Sequence, residues 1–291
     1  MVSEEVSMRA QEKGSSLASR IILRCLARNS DRLVSLDYVP DHLRHQLSQL
    51  LCHSGRMSGH FLKLLVQGSP TELWLRDCSW LREEVFKESF QNFDPSELTV
   101  LRLGTHGHCL PDYVLPATLA CSANSLPALT NLLVCGAYQL TDVGLSALVS
   151  SVPALRSLIL TVCPFVTSLS IITIANSLAS VLRVLRLGHC LRLDAMIILP
   201  ALKKLEKLED LSVEGIENIC DEFIEEFISI HDHNLKELSL AECKEVGIGC
   251  SIHNACDAQL SCSFITLSVT WILCSLCCLF LNWCSNLTDS S

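Results

Sequence analysis

The sequence predicts an α/β fold built as a stack of repeats. Parallel strands line the inside of a horseshoe, helices cover its outside, and a helical segment closes the first repeat. Three observations predict it. A phrase of the form LxxLxLxxC recurs along the chain. Its copies fall at a nearly constant step. Apolar residues make up 49% of the chain but aromatic ones only 5%, so the core must be built from Leu and Ile rather than from rings.

The phrase is complete in Leu155, Leu158, Leu160 and Cys163, in Leu182, Leu185, Leu187 and Cys190, and in Leu235, Leu238, Leu240 and Cys243. Weaker copies carry Leu98, Leu101 and Leu103 before His106, Leu129, Leu132 and Val134 before Ala137, and Leu208, Leu211 and Val213 before Ile216. An opening copy has Leu73, Leu75 and Cys78. The residue that begins each LxL stands at 73, 101, 132, 158, 185, 211 and 238, in steps of 26 to 31. Two leucines two apart point to the same face of a strand, and that face is the core. The small Cys or Ala that ends the phrase fits under the turn leaving the strand. Thr141-Asp142 then opens a helix, the Thr oxygen accepting from an orphan N–H, with Leu145 and Leu148 on the inner side. A unit of about 27 residues can hide such a face only against its neighbours.

Residues 1–15 read as a polar, disordered tail, and 16–68 as a helical unit. Its first helix is predicted at 16–28, with Leu17, Ile21 and Cys25 four apart. The second is predicted at 41–52, capped by Asp41 after Pro40, with Leu43, Leu47, Leu50 and Leu51 as its apolar stripe. The third runs from about Ser58 to Gln67, with Phe61, Leu62 and Leu65 inward. Two roles fit this unit. It closes the open end of the stack, or it offers a docking surface, and one set of helices can do both.

The repeats occupy 69–247. The next copy is due near residue 265, but 248–275 reads as an irregular apolar insertion. Leu276, Leu279, Leu281 and Cys284 then restart the phrase, and 276–291 reads as a truncated repeat. The expectation is a truncated or alternatively spliced chain with intron-derived sequence after 247. A rival reading takes 260–281 as a membrane anchor, because no charged residue stands between Ala258 and Thr288 and the stretch is long enough to span a bilayer. Frequent Ser and Thr, and the match of its end to the repeat phrase, weigh against a membrane partner.

Charge excludes one class of function. Residues 1–66 hold 9 Lys/Arg and 6 Asp/Glu, whereas 67–291 hold 13 and 25. Phosphate binding needs a basic surface, so the repeats are not expected to bind nucleic acid directly. No GxGxxG, P-loop, HExxH or GxSxG is present, and no cofactor or catalysis is expected. His106, His108 and Cys109 are metal-ligand types, but no second pair at zinc spacing accompanies them. The run Asp221-Glu222-Phe223-Ile224-Glu225-Glu226 reads as an outer helix with a wet acidic face, and His231-Asp232-His233 as a surface loop. The 17 cysteines follow a polar opening with no apolar leader, so the expectation is free thiols in a reducing compartment, nucleus and cytoplasm.

The phrase over 70–247 resembles the cysteine-containing leucine-rich repeats, ribonuclease-inhibitor-like in form, of F-box proteins and other ubiquitin-ligase adaptors. With Val34–Leu81 included, the chain is similar to plant relatives of the radiation-sensitivity leucine-rich-repeat protein of fungal nucleotide-excision repair. Leu36-Asp37-Tyr38-Val39-Pro40-Asp41-His42-Leu43 resembles the core of an F-box and also the second half of an elongin-binding SOCS box. The resemblance implies a substrate receptor of a cullin-type ubiquitin ligase, linked to DNA repair. It also implies an F-box adaptor or elongin-C-like adaptor docked on Leu17, Cys25, Leu36, Val39, Pro40, Leu43 and Leu47. The protein target belongs on the concave face, at Trp74, Arg76, Arg102, Ile159, Thr161, Arg186, Ser212, Glu214, Ser239 and Glu242. Trp and Arg are the anchor types there. The alternatives are a repeat scaffold with no ligase contact and a membrane-anchored repeat protein.

Overall fold

The computed structural model describes residues 20–91, 93–105, 111–231, 233–243 and 245–246. The predicted tail, the insertion 248–275, the truncated repeat 276–291, the candidate span 260–281 and the His106, His108 and Cys109 group lie outside them.

Seven strands form one parallel sheet whose spatial order is the chain order. They are β1 (Glu72–Asp77), β2 (Val100–Thr105), β3 (Asn131–Cys135), β4 (Ser157–Thr161), β5 (Val184–Gly188), β6 (Asp210–Ser212) and β7 (Glu237–Ser239). The register is the one the repeat demands. Leu73, Leu101, Leu132, Leu158, Leu185, Leu211 and Leu238 stand side by side across the sheet. All seven are buried, and so is the second ladder of Leu75, Leu103, Val134, Leu160 and Leu187. Burying a leucine side chain contributes about 1.5–3 kcal/mol, so these ladders dominate the stability of the stack.

The helices are α1 (20–28), α2 (Asp41–His53), α3 (Gly59–Val66), α4 (Glu83–Phe90), α5 (Asp142–Ser151), α6 (Ser168–Leu178), α7 (Ala195–Leu202) and α8 (Asp221–His231). None among the described residues is long and apolar enough to cross a membrane. From α5 to α8 each helix packs on the next, and α2 lies against β1. Thr141 caps α5 and Thr167 caps α6 through their side chains, while Leu145, Leu148, Ile171 and Ile174 face inward.

Two devices tie neighbouring repeats together. The first is an aspartate relay. Asp142, at the start of α5, accepts from the backbone N–H of Thr167 (2.8 Å) and from its hydroxyl (2.6 Å), and also from Ser170. Asp112 holds Thr141 in the same way, and Asp41 holds Thr71. Burial alone would raise the Asp142 carboxyl, but the bonds from Ser170 and Thr167 outweigh it and hold the group below the usual range.

The second device is a left-handed residue in the turn leaving each strand from β3 to β7. Gly136, Val162, His189, Gly215 and Glu242 have φ of 67°, 53°, 51°, 68° and 60°. Each stands four residues past its inward leucine. The N–H groups of Gly136, Val162, His189 and Gly215 donate to a carbonyl of the next repeat at 2.8–2.9 Å. For a residue with a Cβ this conformation costs about 1–2 kcal/mol, so stacking rather than local preference imposes it.

The repeat thiols are core atoms. Cys163, Cys190 and Cys243 are buried, and each Sγ donates to a carbonyl of the preceding repeat, that of Val134, Leu160 and Val213. The neighbouring Cys190 thiol and burial push Cys163 well above the ordinary thiol range, which suppresses its reactivity.

The structure corrects four local expectations. The inward face of α1 is Leu23, Leu26 and Ala27, while Ile21 and Cys25 are exposed. Asp41 does not cap α2: Pro40 holds the cap position without a side-chain bond, and the Asp41 carboxylate faces Thr71 instead. His231 is not a loop residue. It ends α8, buried against Phe227, with Nε2 3.1 Å from the Leu202 carbonyl oxygen. Glu214 and Glu242 are not strand residues, because β6 ends at Ser212 and β7 at Ser239.

Candidate protein-binding face

The residue between the two inward positions of each strand faces away from the core. In register these residues form one row: Trp74, Arg102, Leu133, Ile159, Arg186, Ser212 and Ser239. All but Ser212 are half-buried. A second row follows, with Arg76 on β1 and Cys135, Thr161 and Gly188 paired across β3, β4 and β5. Trp74, Arg102, Ile159, Arg186 and Ser239 therefore share a surface, with Arg76 and Thr161 beside it. Glu214 and Glu242 lie past the strand ends. Ser212 is buried and offers little to a partner. Leu133 belongs to the row, although its segment Leu132-Leu133-Val134 gives no alternation from which to read it.

At the β1–β3 end, Arg102 lies over the Trp74 ring, 4.0 Å from its centre. His45 of α2 meets the same ring edge-on at 3.9 Å. The Trp74 indole N–H and His45 Nδ1 are buried and find no hydrogen-bond partner among the described residues. Burial, helped by the Arg102 charge and opposed by Glu72, lowers the His45 pKa, so its ring is neutral at pH 7. Trp74, Arg76, Arg102, Gly104, Leu133 and Gln49 line a cleft of about 430 Å³.

The β5–β7 end is built differently. Arg186 binds Asp210 at 2.5 Å and reaches across β6 to Glu237 on β7 at 3.0 Å. Burial alone would loosen its proton, and the two carboxylates, with Glu214 behind them, more than restore it. Lys236 pairs with Glu209 at 2.7 Å, and Arg183 pairs with the same carboxylate. His189 stands 3.9 Å from Glu214 and 3.9 Å from Glu242, and ligand atoms of the three lie within 4.8 Å of one another. Gly215 makes room for that ring, since a Cβ there would collide with it. An imidazole and two carboxylates are ligand types for a divalent cation, but here all three are partly solvated.

The docking residues expected in the N-terminal unit divide. Leu36 and Leu47 are buried in the core, which removes them from any docking surface in this conformation. Val39 and Leu43 are half-buried, Pro40 and Cys25 exposed, and Leu17 lies outside the described residues. Ile21, Ile22, Val34 and Tyr38 are the large apolar residues that the unit exposes. Leu36 and Leu47 were misassigned because helical spacing marks an apolar stripe without saying whether it meets the chain's own core or a partner.

No family model matches the chain, and no curated protein matches it. Among solved structures, it is similar to a chain in the crystal structure of the yeast Rad7 and Elc1 complex. The identity is 16%, the match covers 90% of this chain and 82% of that one, and the TM-score is 0.37. A likeness of that depth carries no inference about function.

Proposed function

We propose that this chain is a leucine-rich-repeat solenoid, capped at its first repeat by residues 16–68, which binds another protein on the face of its sheet opposite the leucine ladders. The observation that carries the reading is the row of seven outward residues running across every strand from Trp74 to Ser239. Its residues are mixed aromatic, cationic, aliphatic and hydroxyl-bearing, with acidic groups flanking Arg186, and Trp and Arg are the anchor types of protein-binding surfaces. The chain is assigned no catalysis of its own.

The ligase role is a further step. It rests on the resemblance of Leu36–Leu43 and of the repeat phrase to adaptor-binding repeat proteins. In this reading the N-terminal unit docks an F-box or elongin-C-like adaptor, the adaptor brings a cullin, and the sheet face holds the substrate in nucleus and cytoplasm. A part in DNA repair rests on the same resemblance. With Leu36 and Leu47 in the core, docking falls to Ile21, Ile22, Val34 and Tyr38. Purified full-length chain, tested for co-elution with the F-box adaptor and with elongin C, decides this role. Binding to either one that Ile22→Asp with Val34→Asp abolishes supports it, and binding to neither removes it. The burial of Leu36 and Leu47 favours the second reading, a scaffold whose N-terminal helices only cap the stack.

A further inference from the structure

We propose that the cleft at the β1–β3 end takes an acidic segment of the partner protein, with a carboxylate between Arg76 and Arg102 and an apolar neighbour against Trp74 and Leu133. This rests on the reading of the sheet face as a protein-binding surface, and it names what one end of that surface recognises.

Among the described residues no carboxylate pairs with Arg102, whose guanidinium carbon lies over the Trp74 ring, 4.0 Å from its centre. Among the described residues the Arg76 guanidinium has no carboxylate partner either, and it hydrogen-bonds the ring of His53 at 3.2 Å. A guanidinium presents its N–H groups in a fixed fork that fits a carboxylate. That contact restrains the Arg102 side chain before any ligand arrives, which reduces the entropy lost on binding. Gly104 also lines the cleft, and a Cβ there would collide with the Arg76 carbonyl, so glycine lets β1 and β2 approach at this point. Leu133 and the indole supply apolar area beside the charge. The buried indole N–H without an acceptor marks a polar deficit in the same corner.

Charge elsewhere sharpens the choice of occupant. Arg186, the arginine of the same row at the other end, is already held by Asp210 and Glu237. Glu214 and Glu242 stand beside His189 at the same end, and Glu214 also acts on Arg186. An acidic segment is therefore repelled from the β5–β7 end and attracted to the β1–β3 end, whereas a basic segment meets the opposite field.

The test uses the full chain. A random-peptide phage library is selected on the immobilised protein, and the selected peptides are titrated as fluorescein conjugates by anisotropy. The expected peptides carry Asp or Glu next to an aromatic residue or Leu. Arg102→Glu weakens them at least about tenfold, the effect of losing a hot-spot arginine. Raising the salt from about 50 to about 300 mM weakens them as well. Glu242→Lys leaves them unchanged or tightens them. Thermal melts check that each variant folds, and Arg102→Gln, which removes charge but keeps most of the volume, gives a smaller loss in the same direction. An empty selection, or acidic peptides indifferent to Arg102, overturns the inference. Basic peptides lost in Glu242→Lys overturn it while leaving the face as a binding surface. Peptides insensitive to changes at both ends overturn both readings. Arg102-dependent binding of a polyuridylate probe without acidic peptides overturns the assignment to protein.

Discussion

The two ends of the sheet share a core and differ in their surface. Behind β1–β3 and behind β5–β7 the inward leucines continue one ladder in one register, and they are equally buried. In front, no carboxylate among the described residues pairs with the arginines of β1 and β2, while the arginine of β5 is shared between two. The repeat fixes every second strand residue as core and leaves the residues between free to vary. Identical scaffolding can therefore carry a receptive corner at one end and a self-satisfied ionic network at the other.

The largest effects should not distinguish the ends at all. Leu101→Ala behind the first end and Leu185→Ala behind the second each remove a fully buried side chain. Each should lower unfolding stability by about 2–5 kcal/mol in urea titrations. A loss at one position with none at the other would mean that the ladder is not continuous. The seam between the ends is the next place to break the comparison. Asp142→Ala leaves the Thr167 N–H and two hydroxyls without their acceptor. The expected loss is about 1–3 kcal/mol, with Asp142→Asn recovering part of it.

Surface substitutions should then separate the ends. Arg186→Ala strips the partner from Asp210, whose side chain is only 14% exposed. It should cost about 1–2 kcal/mol, reduced by solvent screening because the arginine itself is partly exposed. Among the described residues Arg102→Ala removes no ion pair, only the contact with the Trp74 ring, and should cost about 0.5 kcal/mol. Equal costs would erase the distinction between paired and receptive arginines.

The smallest effect is a pH slope. Burial lowers the His231 pKa from its ordinary value of 6.5. The unfolded chain therefore takes up a proton that the fold resists. This contribution is intact above about pH 6.5 and is lost as pH falls through the folded value. His231→Gln can keep the bond to the Leu202 carbonyl, so the melting temperature should fall less between pH 7.5 and 5.5 than in the parent. An unchanged slope would place the titration elsewhere.

Much of this architecture is legible in the sequence, and physics says why the rest is not. A period-two leucine pair at a constant step has one way to hide its apolar face, so strand order and register followed from Leu73 through Leu238. The Thr141 cap was legible because its partner, Val143, is two residues away. The Asp142 relay was not, because Thr167 and Ser170 belong to the next repeat. Leu36 and Leu47 show the same limit, since an apolar stripe names a buried face and not its neighbour. The pairing of Arg186 and the freedom of Arg102 lie a further step away. They depend on which way a long side chain turns between rows, since Asp210 and Glu237 stand in the row of Val184 and not in that of Arg186.

Photo-crosslinking in the native cell shows whether the partner sits on the sheet face opposite the leucine ladders. A photoreactive residue is placed at 133, in the middle of the outward row, or at 143, on an exposed position of α5. The account predicts a discrete adduct from 133 that Arg102→Glu abolishes, and none of the same mass from 143. An adduct from 143 alone, or one from 133 that survives Arg102→Glu together with Arg76→Glu, would contradict it.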